Sequence, residues 1–199
     1  MYKIITISRE FGSGGRTIGK KLAEKLGYKF YDSEIVARVA EESGYHQDFI
    51  EKHGEYASNG NSILFSFSRN GALTTGHHSV YDNIYIAQQK VILDIAKEGN
   101  VVIVGRCADY ILRDFDSVLN VFIYSDFASR AQRIINEYGE RSDKSIEKRL
   151  KDRDQKRKTY YKTYTGEEWG KAQNYHLLLN SAEFGIEKCV DLIYKLVKE

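Results

Sequence analysis

Ile4-Ile5-Thr6-Ile7-Ser8-Arg9-Glu10-Phe11-Gly12-Ser13-Gly14-Gly15-Arg16-Thr17 is the stretch on which the reading of this chain turns. A short β-branched run ends in a glycine-rich turn. Behind the turn, apolar residues recur at 18, 22, 23 and 26, a helical spacing, and Gly27 stands where a left-handed C-terminal cap is wanted. A glycine turn between a strand and a helix lets backbone N–H groups converge on an anion, and the helix N-terminus adds partial positive charge. Residues 28 to 31 then alternate weakly, and Asp32-Ser33 offers N-cap chemistry for a helix from Glu34 to Ser43. Strand, loop, helix, strand, helix predicts a parallel α/β sheet.

The loop matches no single phosphate pattern cleanly. Against G-x-x-x-x-G-K-[ST], one register sets Arg16 at the lysine and Glu10 at the first glycine. A register ending in G-K-G-T sets Gly15 at the lysine and Arg9 at the first glycine. Both keep Gly12 and Gly14 in the cradle and place the Thr17 hydroxyl where it could ligate Mg²⁺. Arginine is a larger, forked donor and does not simply replace a lysine point charge. The dinucleotide fingerprint G-x-G-x-x-G also matches in part, at Gly12 and Gly14 with Asp32 after the second strand. Against it, Thr17 replaces the third glycine, and Arg9, Glu10 and Phe11 lengthen the turn. The loop favours phosphate binding over a dinucleotide, with a ligand-free tight turn as the third option.

Working outward, residues 44–83 are rich in Gly, Ser and Asn and contain His77-His78, which reads as short helices and loops. Adjacent histidines in such a loop read as surface residues sooner than metal ligands. Residues 81–98 form a long helical stretch closed by Gly99. Val101-Val102-Ile103-Val104 is a buried-strand run ending in Gly105-Arg106. A strand over 118–124, a helix over 127–138, a last strand over 176–180 and a helix over 186–197 follow. Residues 130–162 carry 12 basic and 6 acidic side chains, so this segment is +6 although the 199-residue chain is only +2. Any polyanion-binding surface is therefore local, and no nucleic-acid recognition motif accompanies it. The length suits one domain. Cys107 and Cys189 alone make neither a disulfide framework nor a zinc site. No apolar run approaches the ~18 residues that a membrane span needs. The N-terminal run is also short for a signal peptide, so a cytoplasmic protein is expected.

Several stretches, taken in order, resemble the cytidylate kinase-like family. These are Ile5-Thr6-Ile7 with the loop ending at Thr17, Lys25 to Ser33, Val101 to Arg106, Ser125-Asp126-Phe127-Ala128-Ser129-Arg130-Ala131-Gln132-Arg133, and Asp152-Arg153-Asp154-Gln155-Lys156-Arg157. Tyr160-Tyr161, Trp169, Tyr175-His176 and Leu179-Asn180 extend the likeness toward the C-terminus. The resemblance implies a P-loop NTPase-type three-layer α/β/α fold with a five-stranded parallel sheet, in a single domain over 1–199. It implies an acceptor-binding region over 33–90 and an arginine-rich lid over 139–165. It further implies ATP and Mg²⁺ as the donor pair and a nucleoside monophosphate such as CMP as acceptor. No nucleic-acid or membrane partner follows from it, and homo-oligomerisation stays open. The absent P-loop lysine leaves a catalytically impaired nucleotide-binding module as the second reading and an NAD(P)-dependent oxidoreductase as the third.

Transfer to a phosphate oxygen that is already anionic needs positioning and charge neutralisation more than acid–base help, so arginines should carry the site. Arg106, after a buried strand, is read as the clamp on the acceptor phosphate, with a strand-end ion pair as the plain alternative. Arg153 and Arg157 are spaced i, i+4 and could reach one phosphate group; Asp154 would orient an arginine or the acceptor sugar. Gly12, Ser13, Gly14, Gly15, Arg16 and Thr17, with Arg153, form the expected donor site, and Thr17 the metal contact. Asp32, Ser33, Arg106, Arg130, Asp154 and Arg157 form the expected acceptor site. Arg16, Arg106, Asp154 and Arg157 are the expected catalytic set. Arg130 could equally decorate a solvated helix, Asp32 and Ser33 could simply cap one, and Tyr160, Tyr161 and Trp169 could stack on a base or pack the lid. Arg141 and Arg149 are further lid candidates, and Asp109 and Asp126 are weak candidates for an acidic Mg²⁺ partner.

Overall fold

The computed structural model describes residues 2–53, 80–138 and 145–199. His77, His78, Arg141 and the larger part of the 44–83 segment lie outside the described residues. Five strands, β1 (Ile4–Arg9), β2 (Lys29–Tyr31), β3 (Val101–Val104), β4 (Val118–Tyr124) and β5 (Leu177–Asn180), form one sheet in the order β2-β3-β1-β4-β5. Every neighbouring pair is parallel. The order fits a phosphate-loop kinase and departs from the dinucleotide-binding arrangement, in which the second strand lies beside the first. Here β3 takes that place, so the dinucleotide reading of the loop loses its framework.

Burial of both sheet faces explains the apolar runs. Ile5 and Ile7 face one side with Val102, Val104, Val121 and Ile123, covered by α1 (Gly15–Leu26) and α8 (Ser181–Lys198). Ile4, Val101, Ile103 and Val118 face the other, covered by α2 (Ser33–Ser43), α4 (Val80–Glu98) and the C-terminal half of α7 (Ile146–Thr165). Helices α3 (Gln47–His53), α5 (Ala108–Ile111) and α6 (Phe127–Tyr138) complete the described helices. The result is three α/β/α layers. Among the described residues no helix is long and apolar enough to cross a membrane.

Two local expectations are corrected. Asp32 occupies the N-cap position of α2, yet its side chain makes no capping bond, because its carboxylate is drawn to Arg16. The last helix begins at Ser181, five residues earlier than the periodicity suggests. Gly185 (φ 74°, ψ 165°) breaks it there, so the apolar stripe restarts at Ile186 as the sequence predicts.

The chain runs from β1 through α1 to β2, then back to β3, and only afterwards crosses β1 to β4. The carboxyl end of β1 is thus the topological switch point, where open α/β sheets leave a crevice for ligands. Residues 10–14 occupy that crevice.

Candidate active site

Close packing dictates the glycines of the loop. A Cβ on Gly15 would lie 2.5 Å from Arg9 Cβ, and one on Gly14 would lie 2.5 Å from Ile186 Cδ1. Gly14 also takes φ 78° as the residue before α1, a conformation that favours glycine. No side chain caps that helix start. The first-turn amides of α1, at residues 15–17, are therefore available to an anion.

Distant side chains grip the rest of the loop. Asp154 Oδ1 accepts the Phe11 N–H at 2.8 Å, and Asp154 Oδ2 accepts from Arg130 Nη1 at 2.5 Å. Arg130 Nη1 also donates to the Phe11 carbonyl at 3.3 Å, and Arg133 Nη1 donates to the Gly12 carbonyl at 2.5 Å. Arg157 Nη1 donates to the Arg9 carbonyl at 3.0 Å, and Ser181 Oγ to the Ser13 carbonyl at 2.6 Å. Glu10 turns toward β4, where its carboxylate accepts the Ser125 N–H and lies 3.6 Å from Arg130 Nε. Burial raises its pKa, and the Ser125 amide and Arg130 act against that rise.

At the end of β3 the backbone does something uncommon. Gly105, Arg106 and Cys107 adopt φ of 75°, 59° and 55° in succession. Left-handed backbone costs a non-glycine residue roughly 1–2 kcal/mol, and such strain clusters at ligand sites. The turn aims Arg106 into a narrow cleft that Ser8, Arg9 and Arg157 also line, with Tyr160 and Trp169 at its sides. Among the described residues no acidic side chain lines it.

Arg106 is only 8% exposed, and its guanidinium bonds to the neutral Gln88 Oε1 at 3.1 Å. Gln88 Nε2 in turn donates to the Arg106 carbonyl and to Tyr160 Oη. Among the described residues Arg106 has no carboxylate partner. A buried cation in that state favours an anionic ligand.

The remaining sequence-read residues fall into place as follows. Arg16 and Asp32 are brought together, with Arg16 Nε donating to Asp32 Oδ2 at 2.5 Å at the exposed rim between α1 and β2. Thr17 sits half-buried in the first turn of α1, and its hydroxyl makes no hydrogen bond among the described residues. Ser33 is exposed at the start of α2. Arg153 is exposed, and Arg149 is partly buried one turn earlier. Tyr160 and Tyr161 are buried and bonded to Gln88 and Asp109, so they pack the helix against the body. Trp169 meets Phe122 edge-on at 5.3 Å. Asp126 accepts the Ser129 N–H and so caps α6. Cys107 is buried among core residues.

Sequence reasoning missed Gln88, Phe11 and Arg133. Gln88 had a signal: it interrupts the otherwise apolar stripe 84, 85, 91, 92 and 95 on α4.

Asp109 is buried beneath the cleft, accepting from Tyr161 Oη at 2.7 Å and Ser8 Oγ at 3.5 Å. Burial raises its pKa to about 6, although the Tyr161 hydroxyl and nearby amides favour the charged form. The folded state therefore holds this proton at pH values where the unfolded chain has lost it. Stability from this group is present below pH 4 and declines as pH rises to about 6, by on the order of 3 kcal/mol in total. Asp109→Asn should remove that decline, read as the difference between the two proteins in urea midpoints from pH 4 to 7. Parallel profiles would show that Asp109 does not titrate in this window.

The five-stranded parallel sheet, ordered β2-β3-β1-β4-β5, and its flanking helices are the fold of the phosphate-loop kinases. The cytidylate kinase-like family model matches residues 4–183, and the chain belongs to that family. A cytidylate kinase of Archaeoglobus fulgidus is 30% identical, with 98% of this chain and 94% of that protein aligned. An uncharacterised protein from Eubacterium ventriosum superposes with a TM-score of 0.73 at 26% identity, covering 98% of both chains. The shikimate kinase of Bacteroides thetaiotaomicron shares the fold, with a TM-score of 0.60 at 15% identity over the full length of both chains.

Proposed function

We propose that this protein transfers a phosphoryl group from ATP to a nucleoside monophosphate, with CMP as the preferred acceptor. The observation that carries the reading is Arg106, a buried arginine with a neutral side-chain partner, facing a cleft that no acid among the described residues lines, beside the glycine loop. Such transfer proceeds by positioning and by neutralising charge on the moving group. In this reading the amides at residues 12–17 hold the donor phosphates, with Arg153 reaching over them. Arg106 and Arg157 hold the acceptor phosphate. Asp154 and Arg130 set the loop's shape, and Asp32 and Ser33 border the acceptor side. Residues 33–90 are then the acceptor-binding region and 139–165 the lid, within a single domain.

Mg²⁺ commonly takes few protein ligands and relies on substrate phosphates for others. The free Thr17 hydroxyl fits that requirement, and an ion there would shield phosphate charge. Small nucleotides are the proposed partners, in a cytoplasmic setting.

Steady-state ADP formation across a panel of nucleoside monophosphates tests the reading. Turnover should be greatest with CMP, and absence of turnover with every acceptor would overturn it.

One observation favours a second reading, a nucleotide-binding module without transfer: Arg16, at the lysine position of one register, is turned to Asp32. Replacing Arg16 by alanine should weaken ATP binding several-fold if it swings to the donor phosphates. Unchanged affinity by calorimetry would assign it to Asp32 alone. ATP binding without ADP formation, unaffected by Arg157→Ala, would favour the module.

A further inference from the structure

Phe11 stands in the middle of the glycine loop, where an apolar ring has no phosphate chemistry of its own. It is half-buried and belongs to neither of the two sheet-face cores, so filling the interior does not account for it. Among the described residues its side-chain-mediated hydrogen bonds and ring contacts run to α6 and α7. The backbone N–H donates to Asp154 and the carbonyl accepts from Arg130. The Arg153 guanidinium carbon lies 5.4 Å from the ring centroid, and that of Arg157 lies 5.9 Å from it. Both distances are within the range of cation–π attraction.

Arg153 and Arg157 differ in their surroundings. Arg157 is 8% exposed and anchored on the Arg9 carbonyl, whereas Arg153 is exposed at the edge of its helix. Ordering an arginine side chain on a ligand costs conformational entropy, and each contact that already restrains it lowers that cost. An aromatic face beside both guanidinium groups adds such a restraint in advance, and a contact with a π face uses up no N–H donor.

We propose that Phe11 is a positioning residue: its ring seats Arg153 and Arg157 over the glycine loop, so that one cation meets the donor phosphates and the other the acceptor phosphate in register. The ring touches no reacting atom. Its position within the loop also registers α7 against the donor site, because its backbone bonds the same helix through Asp154. The proposal rests on the kinase reading for its consequence in catalysis, and on the ring contacts alone for its structural part.

Three variants separate aromatic character from mere bulk. Phe11→Leu keeps an apolar side chain of similar size without a π face, whereas Phe11→Tyr and Phe11→Trp keep the face. Arginine Nε–Hε resonances of the ligand-free protein report the ring contact directly. Two of them, assigned by Arg153→Lys and Arg157→Lys, should show ring-current displacement in the native protein and in the tyrosine variant, and lose it in the leucine variant. In turnover assays Phe11→Leu should lower kcat roughly tenfold with KM for the acceptor little changed, and Phe11→Tyr should restore it. Thermal unfolding checks that the leucine variant is folded. If it is not, Phe11→Trp against Phe11→Tyr, with the resonance readout, still tests the seat.

Undisplaced arginine signals in the native protein would overturn the proposal, as would a leucine variant with native kcat. A native protein that phosphorylates no nucleoside monophosphate would refute the kinase reading instead, while displaced signals would leave the arginine seat standing.

Discussion

Arg106→Met should make the protein more stable and nearly inactive at once. Arg106 is 8% exposed, and among the described residues its guanidinium is paired with a neutral glutamine. Withdrawing a charge from water costs several kcal/mol, and one amide hydrogen bond returns only part of that. Methionine has comparable length, fills the cleft, and removes the buried charge; replacements of this kind are commonly neutral or stabilising by about 1–4 kcal/mol. Turnover with a nucleoside monophosphate should fall by about 10²–10³, the usual effect of deleting a donor aimed at developing phosphate charge. Unfolding in added CMP gives the decisive comparison. The native midpoint should rise with nucleotide because the ligand binds only the folded state, and the variant's rise should be much smaller. A destabilised variant that responds normally to CMP would make Arg106 a structural residue. The turn points the same way: Arg106 and Cys107 hold left-handed backbone, strain of a kind that clusters at ligand sites.

How much of this was legible beforehand depends on how far apart the partners lie in the chain. The strand and helix order follows from local apolar spacing, because β1, β3 and β4 are buried on both faces and so read as largely apolar runs. Arg106 was readable for the same reason: it follows such a run, and sheets of this type bind ligands at that end. The pairings within the site were not readable. Phe11 meets Asp154 across 143 positions, and Tyr161 meets Asp109 across 52. A local pattern says that Asp154 lies on a charged helix, but not that this helix turns Leu150, Asp154, Arg157 and Tyr161 inward together. The misassigned cap at Asp32 has the same origin. Its local chemistry favours capping, whereas a guanidinium sixteen residues earlier competes for the carboxylate and wins it.

Asp154→Ala should lower stability by about 3 kcal/mol, a drop in Tm of roughly 10 °C for a chain of this size. Asp154 is the point where α7, α6 and the glycine loop are joined. Its carboxylate accepts both the Phe11 amide and Arg130, and the Arg130 and Asp154 side chains are only 12% and 13% exposed. Removing it leaves a desolvated guanidinium whose nearest other acid, Glu10, lies 3.6 Å away without good hydrogen-bond geometry, and it strands a loop amide. The pair need not be a large net source of stability, because both ions were taken out of water to form it. The double variant Arg130→Met/Asp154→Leu should therefore unfold above the Asp154→Ala single variant, since it removes both charges instead of orphaning one. If the single variant melts at the native temperature, the carboxylate is not holding the loop. If the double variant melts lowest of all, the ion pair itself supplies the stability. Intermediate stability of the double variant, with donor binding lost in both proteins, would identify the pair as a device that fixes loop shape at little net energetic gain.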